Sequence, residues 1–83
     1  MKILYFAWLR QKAGTGSEEV EPPAEVRTVG DLMHWLAERR PGFKDALGAP
    51  GAVRAAVNRE FAKPSAPVAP GDEVAFFPPV TGG

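Results

Sequence analysis

The run Pro78-Pro79-Val80-Thr81-Gly82-Gly83 offers chemistry that lies in the main chain and not in a side chain. Two consecutive prolines favour the extended polyproline II form, which rises about 3.1 Å per residue, so six residues project about 18 Å beyond whatever precedes them. Gly82 and Gly83 carry no Cβ, so such a tip can thread a channel too narrow for a side chain and bend inside it. An α-carboxyl group titrates at about 3.3–3.7 and is ionised at neutral pH. A carboxylate is a poor electrophile, and it becomes useful once activated, most simply as an acyl-adenylate from which a sulfur donor or an amine displaces AMP. The expectation is therefore a carrier whose reactive group is the Gly83 carboxylate, with activation supplied by another protein.

The side chains offer little in competition. His34 is the one histidine, and helical periodicity places it on a polar face, where a solvated role is expected. Gly14-Thr15-Gly16 resembles a fragment of a phosphate loop but lacks the Lys-Ser/Thr that follows in one, so a plain loop is expected. Glu18, Glu19, Glu21 and Glu25 read as a solvated acidic edge of the kind that discourages sheet-to-sheet aggregation. The sequence has no cysteine, which excludes a disulfide framework, a thiolate zinc site, a cysteine nucleophile and a persulfide carried on a side chain. No metal site is expected. Ten basic residues balance ten acidic ones with no basic stripe, which argues against nucleic-acid binding. No apolar run approaches a membrane span, so a cytoplasmic protein without a membrane partner is expected.

The elements that would position the tail follow from patterning. Chains of 83 residues form one domain, here read as residues 1–77, with 78–83 as the tail. Lys2 to Trp8 is β-branched and aromatic with apolar residues on both faces, which predicts a central strand. A helical turn over Leu9–Ala13 is expected next, then a short strand over Glu18–Glu21 antiparallel to the first. Thr28 with Asp31 three residues on is an acidic variant of the capping box. Val29, Leu32, Met33 and Leu36 follow at helical spacing, with Trp35 at the edge of the stripe and His34 and Glu38 opposite. Pro41-Gly42 is expected to end that helix through a missing donor and a left-handed residue. A further helical turn over Phe43–Leu47, a strand over Val53–Val57, a turn at Asn58-Arg59, a short Glu60–Ala62 segment and a last strand over Glu73–Phe77 complete the series. The fold class is α+β: a mixed sheet, its first and last strands central, with one main helix packed on one face. This is the β-grasp arrangement of ubiquitin-like proteins. One helix covers only one face, so an apolar patch bearing one of Phe76 and Phe77 is expected on the other, as a partner surface.

The segment Gly71-Asp72-Glu73-Val74-Ala75-Phe76-Phe77-Pro78-Pro79-Val80-Thr81-Gly82-Gly83 closely resembles the end of the MoaD family, the small sulfur-carrier subunits of molybdopterin synthase. Met1 to Ala7 and Ala55-Ala56-Val57-Asn58-Arg59-Glu60 are also similar to that family, whereas Pro64-Ser65-Ala66-Pro67 shows no family signature. The resemblance implies a cycle. A ubiquitin-activator-like (MoeB-like) adenylating enzyme consumes ATP to convert Gly83 to its acyl-adenylate, which becomes a thiocarboxylate. The tail enters the large (MoaE-like) synthase subunit, in a heterotetramer, and the sulfur attacks cyclic pyranopterin monophosphate on the route to the molybdenum cofactor. On this resemblance Gly83 is the carrier, Gly82, Thr81 and Val80 insert, and Phe76, Phe77, Pro78 and Pro79 dock. No bound cofactor and no independent catalytic activity are implied. Alternatives are a sulfur carrier for thiazole synthesis, and a ubiquitin-like modifier joined to lysines of target proteins.

Overall fold

The computed structural model describes residues 1–49 and 51–79. Eight elements run in the order β1 (Lys2–Tyr5), α1 (Trp8–Ala13), β2 (Ser17–Glu19), α2 (Val29–Arg39), α3 (Pro41–Ala46), β3 (Arg54–Val57), β4 (Glu60–Ala62) and β5 (Glu73–Phe77). The strands form one sheet in the order β2-β1-β5-β3-β4. Its central pair, β1 and β5, is parallel, with Lys2 beside Glu73 and Tyr5 beside Phe76, and the other neighbours are antiparallel. This is the expected mixed sheet with the first and last strands at its centre.

Alternation along the strands points Ile3, Tyr5, Val74, Phe76 and Ala55 to one face, where all are buried. There they join Leu9 and Ala13 of α1, Val29, Leu32, Leu36 and Ala37 of α2, and Phe43 and Ala46 of α3 in a single core cluster. Tyr5, Phe43 and Phe76 form its aromatic centre, with ring centroids 5.2–6.2 Å apart. The stripe expected on α2 is the buried one, except that Met33 is only half-buried and Ala37 completes it.

The capping box of α2 is formed as expected. The Asp31 amide donates to the Thr28 hydroxyl at 3.1 Å, and the Thr28 amide donates to the Asp31 carboxylate at 3.2 Å. The Arg27 amide also donates to that carboxylate, at 3.0 Å. These bonds hold Asp31 below the usual carboxylate range, that from Arg27 most strongly. The proline-rich segment that follows β4 packs against the start of this helix, with the Val29 amide donating to Ala66 and the Gly30 amide to Pro64. It therefore does not fold over the open face of the sheet.

Three expectations are corrected. β1 ends at Tyr5 and not at Trp8, because the chain turns at Ala7 and Trp8 opens α1; the turn brings Leu9 and Ala13 into the core, which straight strand could not do. β2 covers Ser17–Glu19 and not Glu18–Glu21, since only Ser17, Glu18 and Glu19 find partners in β1. Pro41-Gly42 does end α2, but Gly42 is not left-handed. Pro41 stands in the first turn of α3, where its missing donor and fixed φ are tolerated, and a Cβ on Gly42 would overlap the Lys12 carbonyl. Gly42 thus allows α3 to lie directly on α1, an approach tied at the surface by the Lys12–Asp45 ion pair at 3.0 Å.

Candidate functional site

β5 delivers the chain to the site. Phe76 is fully buried, so of the two phenylalanines it is the core member and cannot itself touch a partner. Phe77 faces the other way, half-buried, and is followed by half-buried Pro78 and exposed Pro79, neither in regular structure. Val80, Thr81, Gly82 and Gly83, the expected inserting and carrier residues, lie outside the described residues.

The face of the sheet away from the helices is the expected apolar patch. The strand registers place Leu4 beside Ala75, Ala75 beside Ala56 and Ala56 beside Phe61 in one row across four strands. None of these side chains belongs to the core cluster or packs against it. Phe61 is 83% exposed and its ring centroid is 5.7 Å from that of Phe77. Because β1 runs parallel to β5, the end of β1 comes to the same edge, and the Phe6 amide donates to the Phe76 carbonyl at 3.0 Å. There Phe6 and Trp8 are 48% and 42% exposed. Exposed or half-exposed aromatic side chains therefore surround the point at which the tail leaves. Past Phe61 and Phe77 the apolar surface continues over the β4 edge into a groove of about 750 Å³ lined also by Val29, Met33 and Val53.

The opposite end of the same face is ionic. Lys2 lies between Glu19 and Glu73, and Arg59 approaches Glu73 at 3.9 Å. The hairpin there closes through Asn58 and Arg59, both left-handed, in the conformation that a two-residue hairpin turn requires. Asn58 also accepts from the Glu73 amide at 3.0 Å and donates to Asp72 at 3.1 Å. The face thus changes from charged at its far end to aromatic at the tail.

The acidic stretch is not uniformly a solvated edge. Glu18 is half-buried, accepting from Arg40 Nε at 2.7 Å and Arg40 Nη2 at 2.9 Å, and from the Tyr5 hydroxyl at 2.7 Å. Arg40 Nη1 donates in addition to the Ala13 carbonyl at 2.6 Å. One guanidinium thereby joins the end of α2, the end of α1 and β2. The Arg40 hydrogen bonds hold the Glu18 carboxyl below its usual range, and burial followed by the bond to Glu18 pushes the Tyr5 phenol well above its ordinary value. These are structural ties on the core side of the sheet, remote from the aromatic face.

His34 is exposed on α2, and Gly14 is a left-handed cap closing α1, in a plain loop. Among the described residues no group of three or more metal-ligating side chains converges, and no helix is long and apolar enough to cross a membrane. Phe61 was the site residue that patterning alone left unassigned. The two-residue turn at Asn58-Arg59 carried the signal, since it pairs Val57 with Glu60 and so sends Phe61 outward.

Comparison with known proteins agrees with this geometry. Residues 3–83 match the model of the ThiS family. The chain belongs to that family. Within it, the chain is 42% identical to the molybdopterin synthase sulfur carrier subunit of Escherichia coli, over all of this chain and 99% of the relative, and 30% identical to the human protein of the same name, over 93% of its length. Among solved structures it is similar to molybdopterin converting factor subunit 1 from Pyrococcus furiosus, at 37% identity and a TM-score of 0.80 over 95% of both chains. SAMP1 from Haloferax volcanii matches at 30% identity and a TM-score of 0.81, over 99% of this chain and 97% of that one. The β-grasp, ubiquitin-like fold and the kinship with molybdopterin synthase sulfur carriers are thereby established for this ThiS-family chain.

Proposed function

We infer that this protein is the sulfur carrier subunit of a molybdopterin synthase and that Gly83 is its working residue. One observation supports this reading above the others. The aromatic end of an uncovered sheet face, with Phe6, Trp8, Phe61 and Phe77, is the end from which the Pro78-Pro79 segment departs. A partner that seats on this face receives the tail at the same moment. A large apolar surface of this kind marks a partner site, and its aromatic side chains are the types that dominate interface energetics.

In the cycle we propose, a ubiquitin-activator-like enzyme transfers AMP from ATP to the Gly83 carboxylate and releases pyrophosphate. A sulfur donor displaces AMP to leave the thiocarboxylate. The large synthase subunit then takes the tail into its active site, where the thiocarboxylate sulfur attacks a side-chain carbon of cyclic pyranopterin monophosphate and breaks a carbon–oxygen bond there. Water hydrolyses the resulting thioester, leaving the sulfur on the pterin and regenerating Gly83 as the carboxylate. Two carriers supply the two sulfurs of one dithiolene. Val80, Thr81 and Gly82 form the slim neck, and Phe77, Pro78 and Pro79 dock. The chain contributes no resident cofactor and no acid–base group, and the cycle runs in the cytoplasm.

A second reading is favoured by the similarity to structures of small archaeal modifier protein 1, one of them 28% identical with a TM-score of 0.81. In that reading a lysine amine displaces AMP and the chain becomes a protein modifier. One experiment separates the two. The chain is incubated with ATP, a sulfide source, its adenylating enzyme and the large subunit, with cyclic pyranopterin monophosphate as acceptor. Formation of the dithiolene pterin is expected, together with its loss when one uncleaved residue is added after Gly83. Lysine conjugates without pterin product would establish the modifier reading in its place.

A further inference from the structure

We propose that Arg54 and Lys63 bind acidic side chains of the large synthase subunit, on a segment seated in the groove beside Phe61 and Phe77; this rests on the docking face described above. Arg54 is paired with Phe77 across β3 and β5, and its neighbour Ala55 is buried in the core. Alternation therefore points Arg54 to the open face, where it is exposed. Lys63 is exposed as well and follows Ala62, the partner of Ala55 in β3. Two cations thus stand at the tail end of the face, and both line the groove of about 750 Å³.

Charges at the other end of the face are interleaved, with Lys2 between Glu19 and Glu73 and Arg59 near Glu73. Among the described residues neither Arg54 nor Lys63 forms an ion pair, and the others that line the groove with them are uncharged. A lysine at the end of an edge strand also hinders sheet-to-sheet pairing. That does not account for Arg54, since β3 is an interior strand, between β5 and β4. The walls around the two cations are apolar, among them Met33, Leu47, Val53 and Phe61. A small anion would leave that surface in water, whereas a polypeptide segment covers it and brings charge at the same time. A partner seated on Phe77 takes water from the cation beside it, and an unpaired charge so covered is costly. Carboxylates on the partner remove that cost, and a guanidinium can take one through two parallel hydrogen bonds. On the reading above the chain is a subunit of the synthase, so the large subunit is the partner with which this contact has to persist.

The full chain is compared with Arg54→Glu, Lys63→Glu, the double reversal and the milder Arg54→Gln. Lys44→Glu alters an exposed cation on α3, outside the groove, and Phe77→Ala is the control for the docking face. Each is measured for Tm and for affinity to the cognate large subunit at about 0.05 M and about 0.5 M salt, between which screening rises steeply. At low salt each reversal is expected to weaken affinity about tenfold or more, because like charges then face each other. Arg54→Gln should weaken it less, and Tm should barely move, as for other exposed changes. Lys44→Glu is expected to change affinity by less than about threefold, and the advantage of the wild type should shrink at high salt. In the wild-type complex a carbodiimide, which joins an amine to a carboxylate with loss of water, should link Lys63 to an Asp or Glu of the large subunit. If Phe77→Ala weakens binding yet the double reversal binds as the wild type does, the cationic contact is wrong and the docking face stands. Equal weakening by Lys44→Glu would mean a diffuse charge effect with no local contact. Reversals that slow adenylation of Gly83 but leave affinity for the large subunit intact would assign the acidic surface to the activating enzyme and overturn the proposal. If Phe77→Ala leaves affinity unchanged, the docking face itself is wrong and the contact falls with it.

Discussion

Glu18 illustrates how much a single residue can tie together. Its carboxylate receives three charge-assisted or buried hydrogen bonds, from Arg40 twice and from Tyr5, and such bonds to charged groups contribute about 1.5–3 kcal/mol. Glu18→Gln is expected to destabilise the protein by about 1–2 kcal/mol at neutral pH, since part of the network survives. The folded carboxyl titrates below its ordinary value. Its contribution is therefore complete above the unfolded pKa of about 4.3 and is lost as pH falls through the folded pKa. Urea unfolding of both proteins at neutral and at acid pH checks this, and the gap between them should narrow on the acid side. Tyr5 carries the opposite sign. Its raised pKa gives stability that is present below about pH 10 and lost above it. Phe76 and Phe77 separate fold from docking at the same scale. Phe76→Ala removes a fully buried ring and should cost about 3–5 kcal/mol. Phe77→Ala should cost about 1 kcal/mol of stability while weakening affinity for the large subunit about tenfold or more. Loss of stability in both, with no change of affinity in the folded state, would place the interface elsewhere.

Among the elements, α2 and β5 were legible because local and global signals agree in them. Thr28 and Asp31 cap one, with an apolar stripe behind them; Pro78 ends the other. The corner between β1 and α1 was not legible, because Phe6-Ala7-Trp8 has strand propensity and only the demand of the core for Leu9 turns the chain. Gly42 was misread for a related reason: a glycine after a proline signals a turn, whereas its use here is a contact with Lys12, 30 residues away in sequence and visible only in three dimensions. Gly42→Ala should therefore force α3 from α1 and cost about 1–3 kcal/mol. Thermal unfolding would show it, and an unchanged Tm would mean that the two helices can separate without loss.

For the whole molecule, the candidate face and the choice between two phenylalanines were legible in the sequence, but the row of residues across the sheet was not. Phe61 is sent outward by the two-residue turn at Asn58-Arg59, a turn signal that periodicity does not carry, and strand order then sets it beside Phe77. The embedding of Glu18 in β2 depends on Arg40, which approaches it from the end of α2. What the assembled molecule adds is polarity: a helix-covered core on one side, and on the other a face that runs from ion pairs at the Asn58-Arg59 end to aromatic side chains at the tail. That arrangement suits the proposed delivery of a reactive group to a partner's active site. The most direct measurement is the intact mass of the protein isolated from its native host, with tandem fragmentation of its last residues. A fraction heavier by the difference between sulfur and oxygen, with the increment confined to Gly83, is the expected result. A population uniformly at the unmodified mass in cells making the cofactor, or an increment located anywhere but Gly83, would contradict a thiocarboxylate carrier.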